Sequence, residues 1–172
     1  MYQKGISLTE LLFALGVTGV LICLSTSMLE RAETYKLEAL SHELAASIRF
    51  ARSQAVHAGT HVTVQAQEED WSMGWVIYID ANDNGSLDEN EPVLTRKLLD
   101  GRIRLIGNSP VKHYVRYNPS GQAVLLNGAF QAGTLTLCPS TERAQGIKAV
   151  LNSAGRLRLD VQEDGSVCAR SP

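Results

Sequence analysis

The sequence has little of what catalytic and metal centres are built from. Its 172 residues include three cysteines and four histidines, and only 6% are aromatic. It has no His-Glu-x-x-His motif, Gly-x-Ser-x-Gly elbow or Walker phosphate loop, so we expect no enzymatic activity. His57 and His61 have the i, i+4 spacing of zinc ligands on a helix, but Gly59 is predicted to end the helix between them.

The chain also lacks an excess of charge. Its 16 basic and 18 acidic residues give a net charge of -2, which predicts no general affinity for polyanions. Any binding of that kind must depend on a local cluster. The cysteines form no Cys-x-x-Cys pair and no Cys/His spacing typical of metal or redox catalysis.

The N-terminal region lacks the features of a secretory signal peptide. Residues 1–5 form a short leader, and no Ala-x-Ala site follows the apolar stretch. Residues 6–29 are apolar over about the length that spans a bilayer at roughly 1.5 Å per residue. Lys4 favours a cytoplasmic N-terminus, so the sequence predicts a single-pass transmembrane helix at 6–29 with the rest of the chain periplasmic.

Glu10 places a carboxylate inside this apolar segment. A charged side chain in a bilayer costs about 2.5–3.5 kcal/mol of free energy, so we expect Glu10 to have a partner or a function. Gly5, the apolar Ile6, Glu10 and the following helix together resemble the leader of type IV pilins and type II secretion pseudopilins. The resemblance implies cleavage after Gly5 by a prepilin peptidase and Ile6 as the methylated N-terminus. It also implies that Glu10 neutralises the amine of a neighbouring subunit during assembly. The alternative is an ordinary single-pass anchor.

A single helix of some fifty residues is predicted to continue to residue 58. Apolar or small residues recur with i, i+3, i+4 spacing over 32–58, and Gly59 is a stop signal. Short β-rich runs follow, separated by Gly, Asn, Pro or Ser. We therefore expect an α+β fold in which an amphipathic helix at 30–58 packs on an antiparallel sheet domain at 59–172. The runs lie at 62–64, 74–79, 93–94, 102–106, 114–117, 134–137, 148–151 and 157–159.

A narrower resemblance extends through this second part. The chain is similar to the H-type pseudopilin and FimT/FimU minor pilin family at 44–56, at 74–80 with Asn82 and Gly85, and at 117–121. This implies a type IV pilin-like fold and storage in the inner membrane, followed by export into an extracellular pilus. The implied partners are other major and minor pilins, the prepilin peptidase and the inner-membrane assembly platform.

The resemblance to FimT-type subunits implies a minor pilin at or near the pilus tip that binds DNA for uptake in natural transformation. Two alternatives stay open. One is a structural minor pilin that primes or adapts pilus assembly, and the other is an H-type pseudopilin of type II secretion. All three share the N-terminal anchor, so only the β-rich domain can separate them.

Two Gly-Arg-x-Arg runs, at 101–104 and 155–158, provide local basic clusters. Arginines two apart in a strand project from one face and can meet successive phosphates. FimT-like DNA receptors carry this motif near the C-terminus, which corresponds to Arg156 and Arg158. The alternative is a solvated strand face, because acidic residues follow the second run. The predicted DNA-binding residues are Arg102, Arg104, Lys112, Lys148, Arg156 and Arg158. The first run lies in a basic region with Arg96, Lys97, Lys112, His113 and Arg116.

The segment from Asp80 to Glu91 matches the calcium-loop pattern D-x-[DN]-x-[DN]-G-x5-E. Asp80, Asn82, Asn84 and Glu91 are the possible oxygen ligands for Ca²⁺. A predicted strand precedes the loop and Pro92 follows it, where the calcium motif has helices. A plain Asx-rich hairpin connection is therefore the alternative.

The cysteines differ in their surroundings. Cys23 lies in the apolar helix, whereas Cys138 and Cys168 lie in the last third of the chain. In an oxidising compartment this pair favours a disulfide that closes a loop of roughly 30 residues and contributes about 2–4 kcal/mol. Two free thiols are the alternative.

Overall fold

The computed structural model describes residues 7–139, 145–162 and 166–169, without the side chains of 22–32, 166 and 169. The predicted cleavage site at Gly5 and Ile6 lies outside the described residues. The chain divides into two compact units, Met1–Lys36 and Leu37–Pro172.

Helix α1 runs from Leu8 to Ala58 over 51 residues, which confirms the predicted single helix. Ser7 Oγ accepts a hydrogen bond from the Thr9 backbone N–H at 3.3 Å at its start. At its end, Gly59 has φ +64°. Glycine adopts this left-handed conformation without steric cost, so it ends the helix as predicted.

In the N-terminal unit, the side chains described from Ser7 to Leu21 are all exposed. Leu8 and Phe13 each have 75% of their surface exposed, and Glu10 lies in the same first turns of the helix. Among the described residues, no helix combines the length and the hydropathy needed to cross a membrane. The transmembrane span at 6–29 stays a prediction.

The second unit contains two four-stranded antiparallel sheets among its described residues, whereas the sequence predicted a single sheet. The first sheet has the order β3-β2-β1-β5, and the second has the order β4-β6-β7-β8. Each strand overlaps one of the predicted β-rich runs. The bounds are β1 His61–Ala66, β2 Gly74–Asp80, β3 Val93–Leu98, β4 Arg104–Gly107, β5 Tyr114–Tyr117, β6 Gly133–Cys138, β7 Gly146–Leu151 and β8 Leu157–Gln162.

One hydrophobic cluster joins the second half of α1 to both sheets. The helix contributes Leu44 and Ile48, the first sheet contributes Val64, and the second contributes Leu135 and Leu137, all nearly or fully buried. Alternating residues of the inner strands β1, β2, β6 and β7 point into this cluster, as the period of two in a strand requires. The core fixes the strands, and their edges and turns then position the candidate site.

Candidate functional site

The second Gly-Arg-x-Arg run forms a tight turn that leads into β8. Asn152 Oδ1 accepts the Arg156 N–H at 2.9 Å, and the Gly155 N–H donates to the Asn152 carbonyl at 2.9 Å. Gly155 has φ +74°, and a Cβ at this position would lie 2.6 Å from the Gly121 carbonyl oxygen. Conformation and space therefore both require glycine here. The turn leaves Arg156 and Arg158 exposed.

Lys148 and Arg158 lie on the same face of the second sheet. Lys148 is opposite Asp160 in the register of β7 and β8, and Arg158 is opposite Val150. Directly opposed residues of antiparallel strands share a face, and so do residues two apart in one strand. Arg158 Nη2 lies 3.5 Å from Asp160 Oδ2, and Lys148 Nζ donates to Gln162 Oε1 at 3.4 Å. The part of this face formed by β7 and β8 therefore carries two cations and one carboxylate among its described residues.

The first Gly-Arg-x-Arg run differs from its prediction. Strand β4 begins only at Arg104, because residues 101–103 form a bend. The expectation that Arg102 and Arg104 project from one strand face is therefore wrong. Arg102 Nε pairs with Asp100 Oδ2 at 3.1 Å, and both side chains are largely exposed. Arg104 Nη2 donates to the Cys168 carbonyl at 3.3 Å, within the short helix α2, Ser166–Ala169.

The structure does not bring the two runs together. They lie at opposite edges of the second sheet, because β4 and β8 are its outer strands. Three strand spacings of about 4.8 Å separate these edges by roughly 14 Å. Lys112 is exposed in the turn that precedes β5 and belongs to neither run. Arg104 shares a face of the second sheet with Lys148 and Arg158 through the paired residues of β6, but it lies on the opposite outer strand.

The basic residues predicted to surround the first run do not form an exposed cluster of cations. Arg116 is only 2% exposed. Its Nε donates to Asp80 Oδ2 at 3.0 Å, and its Nη2 contacts Asp83 Oδ1. Lys97 Nζ pairs with Glu43 Oε1 of α1 at 2.7 Å. Two of the expected surface cations are therefore paired with carboxylates, and Arg116 is also buried.

Asp80 anchors the loop in which calcium ligands were predicted. Its carboxylate is buried and accepts the N–H groups of Asn84 and Gly85, each at 3.0 Å, in addition to the Arg116 guanidinium. Gly85 has φ +72°, which supplies the sharp turn. The Asp80 oxygens therefore hold the loop backbone and the buried arginine.

Glu91 closes the other end of this loop. Its Oε1 accepts the Ala81 N–H at 2.9 Å, and its Oε2 accepts the Asp88 N–H at 3.2 Å. The Nδ2 groups of Asn82 and Asn84 donate to Asp88 Oδ2 at 2.6 Å and 2.9 Å. These bonds are those of an Asx-rich connection. In the described part of the chain, no three His, Cys, Asp or Glu residues are grouped to hold a metal ion. Calcium binding stays a prediction.

Sequence reasoning missed the buried ion pair of Arg116 with Asp80. The neighbouring His61 Nδ1 lies 2.9 Å from Asp83 Oδ1. Burial lowers the pKa of His61 below its usual value, and the Arg116 charge lowers it further. A pattern of alternating residues indicates the face on which Arg116 lies, but not that a loop covers that face.

Cys138 and Cys168 form the predicted disulfide. It joins the end of β6 to α2 and so supports the carbonyl that Arg104 contacts. Gly146 of β7 lies beneath it, and a Cβ there would be 2.8 Å from Cys168 Sγ. The cross-link therefore depends on the absence of a side chain at this position.

Comparisons with known proteins agree with this architecture. Residues 40–165 match the family model described as type II transport protein GspH. The pilin-like protein PilA1 of Thermus thermophilus is 28% identical over 169 residues, which cover 93% of this chain and 100% of that protein.

Two solved structures show the same fold. The type IV minor pilin FimU of Pseudomonas aeruginosa PAO1 has a TM-score of 0.62 at 21% identity, covering 77% of this chain and 97% of FimU. The minor pseudopilin EpsH from the type 2 secretion system of Vibrio cholerae has a TM-score of 0.53 at 14% identity, covering 72% and 95%. Because the family model matches most of its length, the chain belongs to the family described as type II transport protein GspH.

Proposed function

We propose that this family member is a minor type IV pilin that lies at or near the pilus tip and binds DNA for natural transformation. Arg156 and Arg158 contact the phosphate backbone, and Lys148 adds charge on the same side of the sheet. The observation that carries the proposal is the exposure of both arginines at the outer strand of the second sheet. Guanidinium groups in this position are accessible to a polyanion.

The local charge supports this surface despite the overall charge of -2. No Asp or Glu occurs at 101–141 or at 143–159. Asp160 is the carboxylate that pairs with Arg158 in the structure, at 3.5 Å and with both side chains well exposed. Exposed pairs of this kind contribute about 0–1 kcal/mol, so a phosphate can displace the carboxylate.

The proposal includes assembly through the N-terminal segment. The prepilin peptidase cleaves after Gly5 in the inner membrane, and Glu10 then pairs with the Ile6 amine of a neighbouring pilin on the assembly platform. The exposed apolar side chains of Leu8–Leu21 support this role, since they need an apolar environment that the described residues do not supply.

N-terminal sequencing after co-expression with a prepilin peptidase tests the assembly step. We expect the mature chain to begin at Ile6, and a Gly5→Leu variant to keep Met1. A mature chain that begins at any other residue would contradict the pilin-type maturation and leave the ordinary anchor as the explanation.

DNA binding is tested with the full-length chain in a non-ionic detergent, by fluorescence anisotropy of labelled duplex DNA over a range of salt concentrations. We expect binding to weaken as salt rises. The Arg156→Gln/Arg158→Gln variant should bind more weakly and reduce the slope of log K against log salt by about two units. The matched control is Arg96→Gln/Arg102→Gln, which removes the same charge from exposed arginines elsewhere.

The outcomes separate the functions that the family allows. A larger loss in the control than in the Arg156/Arg158 variant would move the DNA surface to the first run. No binding at low salt by the folded chain would reject DNA capture. It would favour a structural minor pilin that primes or adapts pilus assembly, or a secretion pseudopilin.

A further inference from the structure

The Gly121 carbonyl oxygen connects helix α1 to the second Gly-Arg-x-Arg run. Arg52 Nε of α1 donates a hydrogen bond to this oxygen at 2.8 Å. The same oxygen is 2.6 Å from the point where a Cβ on Gly155 would lie. Arg52 and the turn that presents Arg156 therefore contact the same peptide group, although they are far apart in sequence.

The contacts around this carbonyl are tightly packed. A Cβ on Gly121 would lie 3.0 Å from Val56 Cγ2 and 3.2 Å from Arg52 Nε. The buried Tyr117 hydroxyl donates to the Gly155 carbonyl at 3.0 Å. Burial raises the pKa of Tyr117, whereas the nearby Arg52 charge opposes that rise.

The Arg52 guanidinium has donors that its backbone contact does not use. Its side chain is partly exposed, and the bond from Nε is the hydrogen bond that it makes among the described residues. A guanidinium carries five N–H donors in a fixed fork, so the two terminal nitrogens can meet a phosphate while Nε stays bound to Gly121. The backbone bond also holds the group in place, which lowers the entropy cost of binding.

The elements that meet here bring no negative charge. The last turns of α1 at 44–58, the turn at 118–122 and the turn at 152–156 contain no Asp or Glu. Nearby polar side chains such as Asn118 and Asn152 accept hydrogen bonds within their own turns. The net charge of this surface is therefore positive.

We propose that Arg52 is a third phosphate-binding residue, which forms a single DNA surface with Arg156 and Arg158. This inference rests on the proposed DNA-binding function and extends it to helix α1. The nucleic acid then crosses from the outer strand of the second sheet to the last turns of the helix. Arg104 and Lys112, which the sequence suggested, lie outside this surface.

The test compares Arg52→Gln and Arg52→Lys in the full-length chain by the same salt-titrated anisotropy. Glutamine keeps a donor for the Gly121 carbonyl but removes the charge, whereas lysine keeps the charge. We expect Arg52→Gln to weaken binding by roughly 3- to 10-fold near physiological salt and to lower the salt slope by about one unit. Arg52→Lys should keep the wild-type slope. The matched control is Arg96→Gln on β3, which should leave affinity and slope unchanged.

Each result has a distinct meaning when thermal unfolding shows that the variants remain folded. An unchanged slope in Arg52→Gln, together with weakened binding in Arg156→Gln/Arg158→Gln, overturns the role of Arg52 and keeps the DNA function. A similar loss in Arg52→Gln and Arg52→Lys with the wild-type slope overturns the phosphate contact, because Arg52 then only holds the turn. No binding by the wild type at low salt overturns the proposed function, and the role of Arg52 with it.

Discussion

The two Gly-Arg-x-Arg runs have the same residue pattern but different structures. In the second run, Gly155 packs against Gly121 in a closed turn and both arginines are exposed. In the first, the glycine begins a bend, Arg102 pairs with Asp100, and Arg104 contacts the backbone of α2. All four arginines are exposed, and each run has one exposed arginine–aspartate pair. The two runs therefore differ in the closed turn at Gly155 and in the contact of Arg104 with α2, and not in the exposure of their charges.

The largest expected effect is on the free energy of unfolding, and it differs between Gly155 and Gly101, the glycines of the two runs. Gly155→Ala should lower the free energy of unfolding by about 3 kcal/mol, since the left-handed backbone costs about 1–2 kcal/mol and overpacking adds about 1–3 kcal/mol. Gly101 has a similar φ of +73°, but the closest atom to a Cβ there is Met73 Sδ at 3.6 Å. Gly101→Ala should therefore cost only about 1–2 kcal/mol.

Urea unfolding, followed by the fluorescence of the buried Trp71 and Trp75, measures this difference. The wild type and both alanine variants are compared at one pH and temperature. Equal losses in the two variants would show that the contact of Gly155 with the Gly121 carbonyl does not constrain the turn. The two runs would then differ only in the contacts of their arginines.

A smaller effect distinguishes the arginines of the first run. Arg104→Gln should lower the free energy of unfolding by about 1 kcal/mol, because it weakens the partly buried contact with the Cys168 carbonyl. Arg102→Gln is the matched control and should change it by less than about 0.5 kcal/mol, because its pair with Asp100 is exposed. The same urea unfolding measures both. An equal or larger loss in Arg102→Gln would contradict the structural role of Arg104.

Local signals in the sequence predicted much of the fold. Glycine at position 59 predicted the end of the helix, and the β-rich runs located the strands, because both depend on nearby residues. The disulfide was predicted from the compartment and the separation of its cysteines. Strand pairing is not local, so the division into two sheets could not be predicted from the runs.

The candidate site was only partly predictable for the same reason. The exposure of Arg156 and Arg158 agrees with the motif, but the burial of Arg116 depends on strand β2, which brings Asp80 to it, and on the following loop, which brings Asp83. The contact of Arg52 with Gly121 joins residues from separate elements. No periodicity or spacing contains that information, since the contact exists only after the helix and sheets have packed.

Gly146 affects the disulfide of Cys138 and Cys168, although glycine has no reactive side chain. Cys168 Sγ lies 2.8 Å from the point where a Cβ at residue 146 would lie, and Cys138 Sγ is 3.9 Å from the same point. A larger residue would compete with the sulfur atoms for this space. The attachment of the C-terminal segment through this disulfide therefore depends on strand β7, which carries neither thiol.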